Sequence, residues 1–283
     1  MSQKIMSTLS NEKTDKRGYD QFYRGKVSRL ANSADKQAYV ERYERSNLSP
    51  FHAGGRTKGY ARGLATRKLL DATIRKGLTP ADTLILDAGC GQGELSVYLG
   101  CKGYNVIGVD ISEAGCSAAR DLADRIGVSG NCSFLAESLD SVSIADGEID
   151  FIIGHAALHH FIKYEGVPDE FKRVTKGASE GFFADSFGEN KVYHLFHNRE
   201  RMKRLGDVSL TKNLIMQYFN DFHVELLPTD WLTMTDKLFL KMFPRRWDNK
   251  VAMRISGYSF WLDRHVSVSS RVALGLSGAV VTR

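Results

Sequence analysis

The sequence predicts an α/β fold, in which helices cover both faces of a mostly parallel, seven-stranded sheet. Between residues 83 and 185, short apolar segments alternate with helical segments, and this alternation is typical of βαβ units. The strand segments are continuously apolar, as expected for strands that are buried on both faces. The 283 residues, of which 42% are hydrophobic and 25% charged, predict one large globular domain with additions.

The first 60 residues differ in composition from the rest of the chain. Residues 1–18 are polar and predict a disordered tail, whereas residues 19–48 predict one or two basic helices that carry aromatic side chains. We therefore expect a tail and helical cap over residues 1–60, followed by a Rossmann-like α/β domain over residues 61–283.

Seven segments have the composition of buried strands. They are Thr83–Asp87, Asn105–Asp110, Cys132–Ala136, Ile149–Ile153, Glu180–Asp185, Asp221–Leu227 and Gly275–Thr282. Helices are predicted between them, for example over residues 113–126 and 169–176. Residues 230–270 are too long and too rich in large apolar side chains for a plain loop, so we expect an insertion there before the last strand. This insertion forms either a lid or additional core of an enlarged domain.

Composition excludes several classes of protein. No apolar stretch approaches the roughly 20 residues needed to cross a bilayer, and the polar N-terminus lacks the apolar core of a secretory signal. The four cysteines have no C-x-x-C spacing, which predicts neither a zinc site nor a disulfide framework. They are Cys90, Cys101, Cys116 and Cys132. We therefore expect a cytoplasmic protein without a bound metal.

Charge is unevenly distributed along the chain. Residues 1–80 carry a net charge of +10, residues 81–160 carry −9, and residues 161–283 carry +5. Basic flanks attract nucleic acid, anionic membranes or acidic substrates, but they also arise where exposed helices are simply solvated by Lys and Arg. The acidic middle segment is unfavourable for a phosphate ligand and favourable for a cationic one.

A glycine-rich turn follows the first predicted strand, in the run Asp87-Ala-Gly-Cys-Gly-Gln-Gly93. Such a turn lets the backbone approach a ligand closely, and the helix after it offers free N–H groups. Asp110 ends the next strand, 21 residues after Gly89, where an acid accepts hydrogen bonds from ribose hydroxyls in nucleotide-binding α/β folds. Glu94 replaces the last glycine of the dinucleotide fingerprint, and no Gly-Lys-Ser/Thr of a P-loop is present.

These motifs resemble those of the class I S-adenosylmethionine-dependent methyltransferases. The resemblance covers about residues 62–190 and continues from the turn through Val106–Ser112, Ala136–Ser138 and Ile149–Phe161. It implies S-adenosyl-L-methionine as the cofactor. It also implies that the following residues bind it: Asp87, Gly89, Cys90, Gly91, Asp110, Ile111, Glu137, Ser138 and His155.

The resemblance assigns a part of the cofactor to each motif. Gly89 and Gly91 approach the methionine part, and Asp87 orients its ammonium group. Asp110 binds the ribose and Ile111 packs on the adenine. Near the adenine amine, the family usually carries an Asp where this chain has a Glu.

Methyl transfer is an in-line displacement that depends mainly on positioning, and a hydroxyl or ammonium nucleophile also requires a base. The candidate bases are His155, His159, His160, Asp185, His194 and His197. Among them, His155 and Asp185 are favoured because they follow strands four and five. The histidines at 159 and 160 belong to a motif that recurs in this superfamily for reasons of fold.

The acceptor is predicted to be a small molecule, such as a metabolite, natural product or lipid. Strand four ends in Gly154-His155-Ala-Ala157, not in the Asn-Pro-Pro-Tyr type motif of amino- and base-N-methylating enzymes. Two alternatives remain open: a nucleic-acid methyltransferase that uses the basic flanks, and a cofactor-binding protein without transferase activity. The oligomeric state is open between a monomer and a homodimer.

Overall fold

The structure, a computed structural model, describes residues 2–26, 28, 30–48, 59–186, 206–229 and 275–282. The predicted insertion at 230–270 and the candidates His194 and His197 lie outside the described residues. Within the described residues, none of the helices combines the length and the apolar character that a bilayer span requires.

The described residues form eight helices, two short helical turns and seven strands. The helices are α1 (Ser2–Tyr23), α2 (Lys36–Tyr43), α3 (Gly59–Arg75), α4 (Glu94–Cys101), α5 (Glu113–Ile126), α6 (Leu158–Phe161), α7 (Val167–Val174) and α8 (Lys212–Tyr218), with a π-helical turn at Glu44–Leu48 and a 3₁₀ turn at Pro80–Asp82. The strands are β1 (Leu84–Ala88), β2 (Asn105–Val109), β3 (Cys132–Leu135), β4 (Ile149–His155), β5 (Thr175–Ser186), β6 (His223–Thr229) and β7 (Gly275–Thr282).

The sheet has the strand order β3-β2-β1-β4-β5-β7-β6. Strands β1 to β5 pair in parallel and form the expected Rossmann-like parallel sheet. Strand β7 pairs antiparallel with both β5 and β6. Since β1 lies between β2 and β4, the strand order reverses beside β1, and ligands of open α/β sheets bind at the carboxyl ends of the strands near such a reversal.

Helices cover both faces of the sheet. Neighbouring residues of β1 point to opposite faces, so Ile85 belongs to one buried apolar cluster and Leu86 to the other. The first cluster also contains Tyr39 and Tyr43 of α2, which are fully buried. The ring of Tyr43 stacks on Tyr98 of α4 at a centroid distance of 4.4 Å. Helix α2 therefore shares its core with the sheet.

The structure corrects one prediction at the N-terminus. Residues 2–18, for which the polar composition predicts a disordered tail, lie in helix α1. The reason is visible in its contacts: Asp15 lies 2.6 Å from the ammonium of Lys163 and accepts a hydrogen bond from the hydroxyl of Tyr164. These partners are almost 150 residues away in the chain, so local composition could not indicate that the helix docks on the domain.

Candidate active site

The glycine-rich turn connects β1 to α4 at the carboxyl edge of the sheet. Gly89, Gly91 and Gly93 all have positive φ angles, of 76°, 54° and 72°, which favour glycine over other residues. The backbone amides of Gly89 and Cys90 donate to the carbonyl of Val109, at 2.8 and 3.0 Å. The end of β2 therefore holds the turn in place.

Side chains of this protein fill the space that the turn glycines leave. A Cβ atom on Gly89 would lie 2.5 Å from the Cβ of Ala157, and one on Gly91 would lie 2.7 Å from the hydroxyl of Tyr23. The sequence interpretation attributes the glycines to close approach of a ligand. In the structure, glycine at these two positions is also required by the packing of α1 and of the β4–α6 connection against the turn.

Asp110 follows the end of β2 and faces the turn. One carboxylate oxygen accepts a hydrogen bond from the backbone amide of Gly91 and the other from the backbone amide of Ser112, each at 2.9 Å. Burial raises the pKa of Asp110 to about 6, although these two hydrogen bonds oppose the shift. The side chain that the sequence assigned to a ribose therefore also fixes the turn.

Asp87 ends β1 beside Asp110 and is buried, with 2% of its surface exposed. Ser96 of α4 donates a hydrogen bond of 2.6 Å to its carboxylate. Burial raises the pKa of Asp87 to about 7, and the nearby charge of Asp110 adds to the shift. Both carboxyl groups, one buried and one half-buried, resist ionisation, and a positively charged ligand beside them would stabilise their ionised forms.

The other predicted cofactor residues line the same edge of the sheet. Ile111 and Ser138 are half-buried at the ends of β2 and β3. Glu137 is half-buried as well, and its carboxylate accepts hydrogen bonds from the amide and hydroxyl of Ser143, at 2.7 and 2.6 Å.

A hydrogen bond with Cys116, together with burial, raises the pKa of the Cys90 thiol well above its usual range, so this thiol stays protonated at neutral pH.

His155 ends β4 and lies against helix α3. Its Nε2 atom is 3.3 Å from the hydroxyl oxygen of Thr66, which itself donates to the carbonyl of Arg62. Burial lowers the pKa of His155 well below its usual value, and the guanidinium of Arg62 lowers it further. At neutral pH the imidazole is therefore uncharged and has one nitrogen able to accept a proton.

Asp185, the second candidate base, ends β5 and holds His159. Its carboxylate oxygens lie 2.7 and 2.8 Å from the Nδ1 atom of His159, and one of them also accepts a hydrogen bond from the backbone amide of His159 at 3.1 Å. This geometry fixes the orientation of the imidazole ring.

A residue from the N-terminal helix joins this group, and local sequence patterns could not have indicated it. The hydroxyl of Tyr19 in α1 is 2.6 Å from Nδ1 of His160 and donates to a carboxylate oxygen of Asp207 at 3.3 Å. His160 and Asp207 are themselves 3.0 Å apart. Burial lowers the pKa of His160, while the hydrogen bond to Asp207 opposes this shift.

Helix α1 also contacts the region around Asp110. The carboxylate of Asp20 accepts hydrogen bonds from the hydroxyl of Ser112 at 2.7 Å and from the backbone amide of Ala114 at 3.1 Å, at the start of α5. Tyr23 covers Gly91 and Gly115. The predicted cofactor residues at the ends of β1 and β2 therefore lie beneath the C-terminal half of α1.

Comparison with known proteins identifies relatives of the central part of the chain. Residues 86–183, from β1 to β5, match the family model described as a methyltransferase domain. The bifunctional O-antigen chain terminator methyltransferase/kinase of Escherichia coli is 33% identical over 96 residues, which make up 32% of this chain and 13% of that protein. The tRNA 5-carboxymethoxyuridine methyltransferase of Escherichia coli K12 is 31% identical over 105 residues, or 37% of this chain and 40% of that protein. The chain thus spans less than half the length of both curated relatives.

Solved structures extend the likeness in fold to most of the chain. Geranyl diphosphate C-methyltransferase from Streptomyces coelicolor A3(2) matches with a TM-score of 0.60 and covers 95% of this chain and 97% of its own. The two sequences are 11% identical, so this likeness concerns the fold alone. The acceptors named for these three relatives differ in kind.

Proposed function

We propose that this chain, which carries a methyltransferase domain of the class I S-adenosylmethionine-dependent family, transfers a methyl group from S-adenosyl-L-methionine to a small-molecule acceptor. The observation that carries the cofactor assignment is the pair of carboxyl groups beside the glycine-rich turn, of which Asp87 is buried and Asp110 is half-buried. A ligand with an ammonium group and a ribose fits this pair, because one carboxylate would offset a positive charge and the other would accept hydroxyl donors.

Each cofactor residue has a proposed role. Asp87 would hold the ammonium group, and the turn from Gly89 through Cys90 to Gly91 would lie against the methionine part. Asp110 would accept the ribose hydroxyls. Since both of its oxygens accept backbone amides in the structure, we expect it to keep the turn in shape while it does so.

At the adenine end, Ile111 would pack against one face of the ring. Glu137 and Ser138 would lie near the adenine amine. Because the carboxylate of Glu137 already accepts hydrogen bonds from Ser143, Glu137 would contact the adenine mainly through its backbone. When bound, the cofactor supplies a methyl group on a positively charged sulfur. The protein then has to exclude water and align the acceptor with that methyl group.

His155 is the residue that we propose as the base for an acceptor with a hydroxyl or ammonium nucleophile. It lies at the carboxyl end of β4 and is uncharged at neutral pH; because its lowered pKa makes it a weak base, it would take the proton only as the nucleophile becomes acidic during methyl transfer. Asp185 is better suited to positioning, because both of its oxygens face the Nδ1 atom of His159. A carbon or sulfur nucleophile would not need the base.

A small acceptor is supported by the way α1 covers the site. The helix lies over the turn through Tyr23 and over the start of α5 through Asp20, and this cover would restrict access for a folded macromolecule. A cover that excludes water also suits a reactive sulfonium group. A nucleic-acid acceptor is the alternative, because one of the relatives is a tRNA methyltransferase, and the labelling experiment distinguishes the two.

The test is to incubate the protein with methyl-labelled S-adenosylmethionine and three separate fractions of a cell extract: small molecules, RNA and protein. We expect label in the small-molecule fraction. At a cofactor concentration near the wild-type Kd, Asp110→Ala should greatly reduce the labelling, while Asp124→Ala, which removes an exposed acid from α5, should not. Label in RNA or protein alone would overturn the acceptor class. Cofactor binding without label in any fraction would support a non-catalytic protein.

A further inference from the structure

Three side chains that commonly bind metals converge beside α6. One ring nitrogen of His159, one of His160 and one carboxylate oxygen of Asp207 lie within 4.8 Å of one another, and the three side chains are partly buried. We propose that His159, His160 and Asp207 bind one divalent transition-metal ion, for which Zn²⁺ is the reference. This proposal goes beyond the proposed function and does not depend on it.

The distances between the candidate ligand atoms suit a metal ion. Bonds of about 2.0–2.1 Å from zinc to nitrogen or oxygen place the ligand atoms of a tetrahedral site about 3.3 Å apart. In the structure, Nδ1 of His160 and the near oxygen of Asp207 are 3.0 Å apart. The hydroxyl of Tyr19 lies 2.6 Å from Nδ1 of His160 and 3.3 Å from the same oxygen, so it would have to turn aside as an ion binds. A ring nitrogen of His159 lies within 4.8 Å of the other two ligand atoms, so the side chains would have to draw closer for all three to bind one ion.

The surroundings of His159 resemble the support that metal-binding histidines usually receive. Such a histidine almost always donates its second ring N–H to a carboxylate or carbonyl, which fixes the ring and makes the metal-binding nitrogen more basic. Asp185 contacts Nδ1 of His159 with both oxygens, at 2.7 and 2.8 Å. When Nδ1 carries the hydrogen of this bond, Nε2 carries the lone pair.

Backbone hydrogen bonds hold the segment that contains Asp207, so its position does not depend on the side chains of the cluster. The backbone amide of Val208 donates to the carbonyl of His159 at 2.9 Å, and the ammonium of Lys163 donates to the carbonyl of Gly206 at 3.1 Å. Asp207 therefore stays beside the histidines before any ion binds. Such preorganisation lowers the ordering cost of binding.

The ligand set selects the class of metal. Imidazole nitrogens with one carboxylate suit Zn²⁺, Mn²⁺, Fe²⁺ or Co²⁺, whereas Mg²⁺ prefers oxygen ligands alone. Cysteine spacing predicted no zinc site, and the residues here are two adjacent histidines and an aspartate 47 positions after the second of them. No common motif has that separation, which explains why the sequence did not indicate this cluster.

The experiment is calorimetric titration of the full-length, chelator-treated protein with ZnCl₂, MnCl₂ and MgCl₂. We expect one Zn²⁺ to bind per chain with a micromolar or lower Kd, Mn²⁺ more weakly, and Mg²⁺ not at all at millimolar concentration. His160→Ala and Asp207→Asn should each weaken Zn²⁺ binding at least about 10-fold. His223→Ala, which removes an exposed histidine on β6, is the matched control and should leave the affinity unchanged.

Two further measurements test the metal site without the variants at His160 and Asp207. Asp185→Asn should weaken Zn²⁺ binding by about 10-fold through its effect on His159, with a thermal midpoint near that of the wild-type apoprotein. Co²⁺ added to the wild-type protein should give the visible absorption bands of nitrogen-ligated cobalt. Absence of these bands, or Zn²⁺ binding that folded His160→Ala and Asp207→Asn proteins retain, would overturn the proposal.

Discussion

Asp87 and Asp110 lie at the ends of two adjacent strands, and burial raises their pKa values to about 7 and about 6. A carboxyl group with a raised pKa binds more protons in the folded than in the unfolded chain. Its contribution to stability is therefore complete below a pH of about 4, the pKa in the unfolded chain, and is lost as the pH rises to about 7. A cation beside the ionised carboxylates would restore part of this stability.

This linkage predicts how the cofactor changes thermal stability. S-adenosylmethionine should raise the melting temperature more at pH 8 than at pH 6, because Asp87, with a pKa of about 7, is mostly ionised at pH 8 and mostly protonated at pH 6. Thermal unfolding with and without the cofactor, in matched buffers, measures the effect. Asp87→Asn should reduce the difference between the two pH values, and adenosine, which lacks the ammonium group, should show little of it. An equal rise at both pH values would contradict the role of Asp87.

Asp110 offers a second prediction at the scale of one residue. Replacement by alanine removes an acceptor whose charge-assisted hydrogen bonds contribute roughly 1.5–3 kcal/mol, so the cofactor Kd should rise about 10- to 100-fold. Calorimetric titration with S-adenosylhomocysteine provides the measurement. Asp110→Asn keeps one acceptor oxygen and should lose less. Unchanged affinity in a folded Asp110→Ala protein would show that the ribose lies elsewhere.

The sequence predicted the residues of this turn because their signals are local. The glycines and Asp110 are separated by about 20 residues within one βαβ unit, and strand periodicity fixes where each of them lies. The link between Asp185 and His159, and the contacts of Tyr19 with His160 and Asp207, depend on how distant elements pack. Neither spacing nor composition carries that information, and His159 and His160 were therefore less favoured as bases than His155 and Asp185.

At the scale of elements, helix α1 is the part of the molecule that the sequence described least well. Its polar composition predicted a tail, but Asp15, Tyr19, Asp20 and Tyr23 each contact the α/β domain. The strands of the parallel sheet, in contrast, were predicted within a few residues, except that β5 begins at Thr175 rather than at residue 180. Strands carry their signal in continuous apolar runs, whereas a docked polar helix depends on partners far along the chain.

Removal of α1 tests its role as a cover. Deletion of residues 1–25 removes this helix but keeps Tyr39 and Tyr43, whose fully buried rings belong to the core. The truncated protein should therefore remain folded and should bind the cofactor more weakly, and it should lose most methyl transfer because the site is open to water. Circular dichroism, titration with S-adenosylhomocysteine and the labelling assay measure the three properties.

Point variants on α1 provide the controls for this deletion. Asp20→Ala removes the acceptor at the start of α5 and should reduce methyl transfer in the same direction. Arg17→Ala changes an exposed residue of the same helix and should have no effect. Full activity of the truncated protein would show that α1 packs on the domain without covering the site, and residues 230–270 would then remain as the predicted lid.

At the scale of the whole molecule, basic and acidic residues are concentrated in different parts of the sequence, and the fold brings some of them into ion pairs. Two basic side chains of the N-terminal third pair with acids on other elements. Arg75 contacts Glu180 at 2.6 Å, and Lys68 contacts Glu225 at 3.4 Å. Exposed pairs of this kind contribute little to stability, but they lower the positive potential of the surface that faces a nucleic acid. The net charge of +6 is therefore a weak argument for RNA as the acceptor.

This distribution leads to a prediction that separates the two acceptor classes. When RNA binds through phosphate contacts, the logarithm of the association constant falls linearly with the logarithm of the salt concentration. The Kd of nonspecific binding at physiological salt is about 10⁻⁴–10⁻⁶ M. We expect transfer RNA to bind this protein within that range or more weakly at 150 mM NaCl, and methyl transfer to small molecules to persist at 300 mM NaCl. Fluorescence anisotropy with labelled tRNA across a salt series measures the first, and the labelling assay measures the second. A Kd for tRNA below about 10⁻⁷ M at 150 mM NaCl, together with methyl transfer that falls in parallel as salt is added, would mean that the basic flanks recognise RNA. An Arg67→Glu variant, which reverses one exposed charge on α3, should in that case weaken tRNA binding and leave the affinity for S-adenosylhomocysteine unchanged.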